Sequence, residues 1–287
     1  MNRFFYLFLI FTFQILLADL SDVKQIRIVS TANVHGETDP CGWKKKPLGG
    51  LARKATVIDN LRSEGFDVLV LDAGNLFFKK NDLTSVNPDA AKMTAEIIVD
   101  SFNKIGCHAF SPGSKDFAAG LAFVQKMQME ANFPFISANI YDINGNRLFD
   151  PYTVVDIEDI SIGIIGLAST FSHSDVFIQD PIETLGQIIY EVDNQSDFLV
   201  LMFDSEEIDH SKLQNSNFPI DLLIRSKSKT RSQDGGSKGI PAYSCGDRGK
   251  YLYQFDISII DKNKEYLDIV LYENKILRAE KQLDKMR

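Results

Sequence analysis

The residues best suited to chemistry in this chain are four histidines, three cysteines and one cluster of cations. The segment 225–238 holds five cations against one acid, a net charge of +4; these are Arg225, Lys227, Lys229, Arg231, Lys238 and Asp234. Ammonium groups bind phosphate-type anions as point charges. The segment therefore predicts either a local anion site or an ordinary solvated surface. The whole chain is acidic, with a net charge of −8, which argues against a general nucleic-acid-binding protein.

The cysteines do not form a metal motif. Cys41, Cys107 and Cys245 are far apart and include no C-x-x-C pair, so a thiolate zinc site is not expected. In an oxidising compartment two of them could pair, and the sequence does not choose among the three pairings.

The amino terminus has the pattern of an export signal. Residues 1–18 carry one early cation, Arg3, followed by an apolar stretch that ends in the small residue Ala18. The stretch is shorter than the ~20 apolar residues that a membrane-spanning helix needs. We expect a cleaved signal peptide and a periplasmic or otherwise extracytoplasmic protein. The alternative is an uncleaved membrane anchor.

Between Lys24 and residue 273 the pattern favours one α/β domain built from two stacked mixed β-sheets flanked by helices. In the first half, strands are predicted at 25–31, 67–74, 108–113 and 133–140, and helices at Leu51–Glu64, Ala90–Ile105 and Leu121–Ala131. In the second half, a hairpin is predicted over 152–169, a helix from Pro181 to Asp193, strands at 197–203 and 221–225, and a closing antiparallel pair at 250–260 and 265–273.

The carboxyl terminus predicts an amphipathic helix over 274–287. Apolar residues recur at helical spacing among cations, at Ile276, Ala279, Leu283 and Met286. We expect this helix to pack on its own domain, the alternative being that it binds a partner.

Five segments occur in an order and spacing that resemble a known family. They read KKPLGGLARKATVIDNLR (45–62), VLVLDAGNLFF (68–78), NKIGCHAFSPGSKDFAAGLAFV (103–124), FPFISANI (133–140) and GDRGKYL (246–252). Together they resemble the metallophosphoesterase domain of the bacterial 5′-nucleotidase and UDP-sugar hydrolase family. The resemblance implies an αββα sandwich and a site in which two divalent metals activate water against a phosphoester. It also implies a carboxyl-terminal nucleotide-binding domain, for which we find no segment in this sequence.

Most positions that correspond to the family's metal ligands carry other residues here. The family's first strand ends with an Asp and a His; this chain has Asn33 and keeps His35. The bridging Asp becomes Asn75, and the Asn-His pair becomes Ser114 and Lys115. Where the family has a later His, this chain has Phe203 or Asp204, and its final His-x-His becomes Lys227 and Lys229. His108, His173 and His210 correspond to none of these positions.

These exchanges predict the loss of the two-metal centre, because amides and a hydroxyl are weak ligands and a protonated lysine has no lone pair. We therefore expect no metal cofactor and a catalytically degenerate binding or scaffold subunit. Lys115, Lys227 and Lys229 could hold a phosphate-type anion, or Asp116 and Asp204 could pair with them to form a plug. We expect His35 to be a structural residue. The alternative function is a residual metal-dependent hydrolase using His35, Asp72, Asp116 or Asp204.

The expected partners follow from the same reasoning. They are a protein of the cell envelope and a small anion, with no nucleic acid, and a membrane only if residues 1–18 are retained.

Overall fold

The computed structural model describes residues 24–42, 45–236, 238–260 and 266–286. The predicted signal peptide at 1–18 lies outside the described residues. Within them, no helix combines the length and the apolar character needed to cross a membrane.

In the first half of the chain the described strands and helices alternate, as predicted. The strands are β1 (Lys24–Thr31), β2 (Val68–Asp72), β3 (Ala109–Phe110), β4 (Ile140–Asp142), β5 (Tyr152–Ile157), β6 (Ile160–Ala168), β7 (Val176–Ile178), β8 (Phe198–Asp204), β9 (Leu222–Ser226), β10 (Ala242–Ser244) and β11 (Tyr253–Ile259). The α-helices are α1 (Leu51–Ser63), α2 (Pro88–Ile105), α3 (Leu121–Glu130), α4 (Pro181–Asp193), α5 (Glu207–Gln214) and α6 (Val270–Met286), and a short 3₁₀ helix spans Ser114–Phe117.

Two sheets form the centre of the domain. The first has the order β11-β1-β2-β3, in which β11 is antiparallel to β1 and the other neighbours are parallel. The second has the order β10-β9-β8-β6-β5; only its β5–β6 hairpin is antiparallel. A separate antiparallel pair joins β4 to β7.

The core lies between these sheets and continues on their outer faces. Alternate residues of each strand point to opposite faces, so one set packs sheet against sheet and the other packs sheet against helix. The inner set includes Ile28, Leu71, Ile164, Val200 and Ile224. Outside the first sheet, α1 packs Ile58 and Leu61 on Val70; outside the second, α4 packs Leu185 and Ile189 on Leu201. This arrangement confirms the predicted α/β class with two stacked mixed sheets flanked by helices.

Two predicted strands are wrong. Residues 133–140 form only isolated bridges at Phe135 and Ile136 before β4 begins at Ile140. Pro134 has no N–H to donate to a ladder. The second is the predicted strand 265–273: residue 265 is not described, and the chain is helical from Val270. The strand β11, which was expected to pair with 265–273, pairs with β1. The Asp268 carboxylate accepts a hydrogen bond from Val270 N at 3.0 Å at this helix start.

Other elements differ in length or were not anticipated. Helix α2 begins two residues before the predicted Ala90, because the Asn87 side chain accepts hydrogen bonds from the backbone of Asp89 and Ala90. The short elements β4, β7, β10 and α5 were not predicted.

Helix α6 is present but does not pack as expected. Its apolar side chains Ile276, Leu277 and Leu283 are 60%, 48% and 60% exposed. The interpretation that this helix covers its apolar face with its own domain is therefore wrong for these residues.

Candidate functional site

The parallel strands of both sheets end at one edge, where open α/β sheets usually hold their sites. All the predicted site positions lie at this edge. Asp204 is the last residue of β8, and the others follow β1, β2, β3 and β9: Asn33, His35, Asn75, Ser114, Lys115, Lys227 and Lys229. Four of these, Asn33, His35, Asn75 and Lys227, have left-handed backbones with φ of 54°, 58°, 54° and 65°. Asparagine tolerates this conformation better than histidine or lysine.

The two asparagines hold the loops together. Asn33 Nδ2 donates to the carbonyls of Ser228 and Gly246 at 3.0 and 2.8 Å, and its Oδ1 accepts from Lys227 N at 3.0 Å and from Asn75 Nδ2 at 3.3 Å. Both amides are buried. An aspartate at position 33 would offer these carbonyls no N–H, so this network is specific for the amide.

Asp204 is the centre of the site. Its side chain is completely buried and accepts hydrogen bonds from Asn75 Nδ2 at 2.7 Å, Ser226 Oγ at 2.7 Å and Ser114 N at 2.8 Å. Lys227 Nζ lies 3.8 Å from the same carboxylate. The neighbouring Phe203 packs in the core under α4, so Asp204 is the residue of this strand end that faces the site.

His35 links two charged side chains. Its Nδ1 lies 3.0 Å from Asp247 Oδ1, and its Nε2 lies 3.0 Å from Lys115 Nζ. Burial first, and then the Lys115 charge, lower the pKa of His35 to about 4. A neutral imidazole that donates to Asp247 and accepts from Lys115 fits these contacts. Both ring nitrogens are thus engaged within the protein.

Two of the three site lysines, Lys115 and Lys227, are only partly exposed to solvent. Burial lowers the pKa of Lys115, although Asp247 and Asp204 act in the opposite direction. Lys227 Nζ contacts Glu206 at 2.9 Å in addition to Asp204, and its side chain is 17% exposed. Lys229 is exposed, and its positive charge acts on Lys115. The structure therefore connects seven of the eight predicted positions by hydrogen bonds and places Lys229 near them.

Asp116 supports the loops instead of pairing with a lysine. Its carboxylate accepts hydrogen bonds from the backbone N–H groups of Asn75, Phe77 and Gly113, each at 2.8 Å. Burial raises the pKa of Asp116 to about 7. The predicted pairing of Asp116 with a site lysine is therefore absent within the described part of the chain, whereas the pairing of Asp204 with Lys227 is present.

A second buried polar group lies beneath the site. Thr31 Oγ1 donates to Asp72 Oδ2 at 2.6 Å and accepts from Lys54 Nζ at 2.8 Å, and the lysine lies 3.9 Å from the centre of the Phe102 ring. Burial raises the pKa of Asp72 to about 6 and lowers that of Lys54. Asp72 is thus committed to a core hydrogen-bond network.

The described residues do not fit a two-metal centre. No group of three or more His, Cys, Asp or Glu side chains among them is arranged to hold a metal ion. The oxygens of Asp204 face four protein donors, the Asn75 amide is hydrogen-bonded on both its oxygen and its nitrogen, and Lys227 brings a cation into the site. An entering divalent ion would have to break these bonds and would meet a positive charge.

Two site residues were missed in the sequence. Asp247 binds His35 and lies inside the quoted segment 246–252, which could have identified it. Glu206 binds Lys227, and its only signal in the sequence is its place two residues after Asp204. The three remaining histidines serve elsewhere: His108 accepts from Val70 N, His173 contacts Phe117 O, and His210 lies 3.4 Å from Glu207.

The basic segment is partly neutralised. Arg225 pairs with Glu207 at 3.1 Å, and Arg231 lies 4.6 Å from the centre of the Tyr251 ring. With Lys227 also paired, two of the five cations of 225–238 form ion pairs with acids outside the segment.

No protein-family model matches this chain. A 5′-nucleotidase of Vibrio parahaemolyticus is 31% identical over 244 residues, which cover 82% of this chain and 39% of that protein. Among solved structures, the calcineurin-like phosphoesterase YfkN of Bacillus subtilis superposes with a TM-score of 0.68 at 18% identity, covering 86% of this chain and 88% of that one. A 5′-nucleotidase precursor of Thermus thermophilus also gives 0.68, at 20% identity over 85% of this chain and 53% of that one.

The fold is therefore that of a calcineurin-like metallophosphoesterase domain. By sequence and fold together, the chain belongs to the 5′-nucleotidase family of metallophosphoesterases. The alignment with the Vibrio relative spans about two fifths of that protein, 39% of its length.

Proposed function

We propose that this chain is an exported, non-catalytic metallophosphoesterase domain that acts as a binding or scaffold subunit. The observation that carries the proposal is the buried network of Asn33, Asn75 and Asp204, whose hydrogen bonds are made within the protein. In a metal site these side chains would present lone pairs to cations. Here they hold the loops of two sheets together.

The chemistry of the family supports this interpretation. Two-metal hydrolysis requires ligands that stay in place around a pair of cations about 3.5–4 Å apart, and a water held between those cations. The imidazole of His35 lies between Asp247 and Lys115, which engage both of its nitrogens, so neither nitrogen is free to bind a metal. We therefore expect no metal cofactor and no phosphoester hydrolysis at this site.

The alternative of a residual hydrolase has less support. The carboxylates it would use are already bound: Asp72 by Thr31 and Gly74, and Asp116 by three backbone N–H groups. Recruiting either of them would break hydrogen bonds in the interior, at a cost of about 1–3 kcal/mol for each donor left unsatisfied.

A phosphoesterase assay tests the proposal. Purified chain is incubated with bis(p-nitrophenyl) phosphate and with a nucleoside 5′-monophosphate, in Mn²⁺, Zn²⁺ or EDTA. We expect no turnover above background in any of them. Metal-dependent turnover that is lost in His35→Ala and retained in His210→Ala, a histidine outside the site, would show that the domain is an enzyme.

Binding of a phosphate-type anion at the former metal site is the alternative to a plug, and the contacts favour it less. Two carboxylates already neutralise Lys227, and Asp247 and Asp204 act on Lys115, so the site favours a plug of ion pairs over an open cationic pocket. Phosphate should then leave the thermal midpoint unchanged, because a ligand raises it only by binding the folded state. A rise that disappears in Lys115→Ala and persists in Lys238→Ala would instead establish an anion site.

Export rests on the composition of residues 1–18. Intact-mass measurement of the protein recovered from an expressing bacterium tests it: loss of residues 1–18 supports a cleaved signal, and their retention in the membrane fraction supports an anchor.

A further inference from the structure

Helix α6 carries a continuous apolar surface that its own domain leaves uncovered. This surface, the outer stripe, consists of Ile269, the residue just before the helix, and of the helical residues Tyr272, Ile276, Ala279 and Leu283. The four large side chains are 56%, 50%, 60% and 60% exposed, in that order, and Ala279 is also exposed. So many apolar side chains in one row on a soluble domain indicate an interaction surface.

The helix touches its domain with the opposite face. Leu271 and Asn274 are partly buried, and Asn274 Nδ2 donates to Gln233 O at 3.4 Å. At about 100° per residue these two positions point away from the outer stripe. Before the helix, the Asp268 carboxylate accepts a hydrogen bond from Tyr243 Oη at 2.7 Å. The helix is therefore attached by one side and presents the outer stripe to solvent.

The spacing of the stripe specifies what kind of element fits it. Its members are separated by three, four, three and four residues, the a/d pattern of a heptad repeat. A 3.5-residue period keeps the stripe in register with another helix that supercoils around it. A flat membrane surface or an extended peptide does not require this period.

The flanking charges identify the other helix as a second copy in parallel orientation. With Ile269 and Ile276 at a positions, Lys275 falls at g, and Glu273 and Glu280 fall at e. In a parallel pair, the g lysine of each copy lies beside the e glutamate of the next heptad in the other copy, which is attractive. In an antiparallel pair the e positions face each other, bringing glutamates together.

We propose that the outer stripe binds the same stripe of a second copy of this chain, forming a parallel two-helix coiled coil that dimerises the domain. The stripe spans less than three heptads, so the dimer dissociates on dilution. The surface lies on α6, away from the plugged site, and the proposal does not depend on the loss of catalysis.

Sedimentation equilibrium of the purified full chain over a range of concentrations tests the dimer. We expect a reversible monomer–dimer equilibrium. Ile276→Asp should raise the dissociation constant at least about a hundredfold, because it removes one buried apolar side chain from each copy and inserts two charges. Leu277→Asp is the matched control: it is also exposed and is adjacent, but lies off the stripe, and should leave the constant unchanged.

A charge exchange tests the parallel orientation. Lys275→Glu should weaken the dimer severalfold at low salt, because each copy loses its attractive pair with Glu280 of the other copy. Lys275→Glu combined with Glu280→Lys should restore the dimer. A monomer at every concentration overturns the proposal. So does a dimer that Ile276→Asp and Leu277→Asp weaken equally, or one that the double exchange fails to restore. Because α6 is exposed, circular dichroism should show all variants folded.

Discussion

Replacing Asp204 by asparagine tests whether the site is a plug or a vacant metal site. The substitution keeps the shape and one acceptor oxygen, which can still serve Asn75 and Ser226. The new NH₂ group then faces Ser114 N–H, which loses its acceptor at 2.8 Å, and Lys227, which loses one of its two carboxylates. A buried unsatisfied donor costs about 1–3 kcal/mol, and removing one partner of a buried charge pair adds to that cost.

We therefore expect Asp204→Asn to reduce the free energy of unfolding by about 2–4 kcal/mol. For a domain of this size that lowers the thermal midpoint by roughly 10 °C. Differential scanning calorimetry in EDTA measures it. Glu206→Gln is the control, because it removes the other carboxylate that binds Lys227. The Glu206 side chain is 59% exposed. That change should cost less than about 1 kcal/mol.

The sign of the effect decides between the two accounts. In an empty metal site, the ligand carboxylate repels neighbouring acids. Neutralising that carboxylate therefore stabilises the metal-free protein. An unchanged or higher midpoint for Asp204→Asn would therefore refute the plug.

Three further predictions concern stability. Ser111 Oγ is buried and has no hydrogen-bond partner among the described residues, so Ser111→Ala should be neutral or stabilising. Ser226 Oγ donates to Asp204, so Ser226→Ala should cost about 1–3 kcal/mol. Urea unfolding compares the two variants, and equal losses of stability would contradict these hydrogen-bond assignments. The pKa of His35 is about 4 in the folded state and 6.5 ordinarily, so between these values the unfolded chain binds the proton and the folded chain does not. Wild type should therefore lose stability relative to His35→Gln as the pH falls from 6.5 to 4. A difference in stability that does not change with pH would contradict this. A Cβ at Gly113 would lie 2.8 Å from the side-chain oxygen of Asn75, so Gly113→Ala should destabilise the protein by about 1–3 kcal/mol. Gly186 of α4 is the control, because a Cβ there would lie 3.6 Å from its nearest neighbour, Phe218, and Gly186→Ala should not destabilise the protein. Equal thermal midpoints for the two variants would argue against a tight network.

The sequence predicted the fold class because hydrophobic periodicity reports which faces of strands and helices are buried. It was wrong at 133–140, where a proline interrupts an otherwise strand-like run, and at 265–273, where strand-like residues form the start of α6. The short apolar run within 265–273 fits either a strand or a helix, and only the tertiary pairing of β11 with β1 decides between them.

The positions of the site were predictable from motifs, but their contacts were not. Order along the chain placed Asn33, Asn75 and Lys227 at strand ends. Asp247 lies in a loop between left-handed residues, Gly246 and Arg248, and residue type alone does not specify that backbone. Glu206 reaches Lys227 across two strand ends, a contact that only the tertiary fold creates.

The central claim is tested most directly by the metal content of the purified chain. Equilibrium dialysis against Mn²⁺ and against Zn²⁺, followed by elemental analysis, should leave far less than one equivalent of either metal bound. Close to two equivalents, released by EDTA and reduced in Asp204→Asn, would contradict the account and identify this domain as a metallophosphoesterase with an altered ligand set.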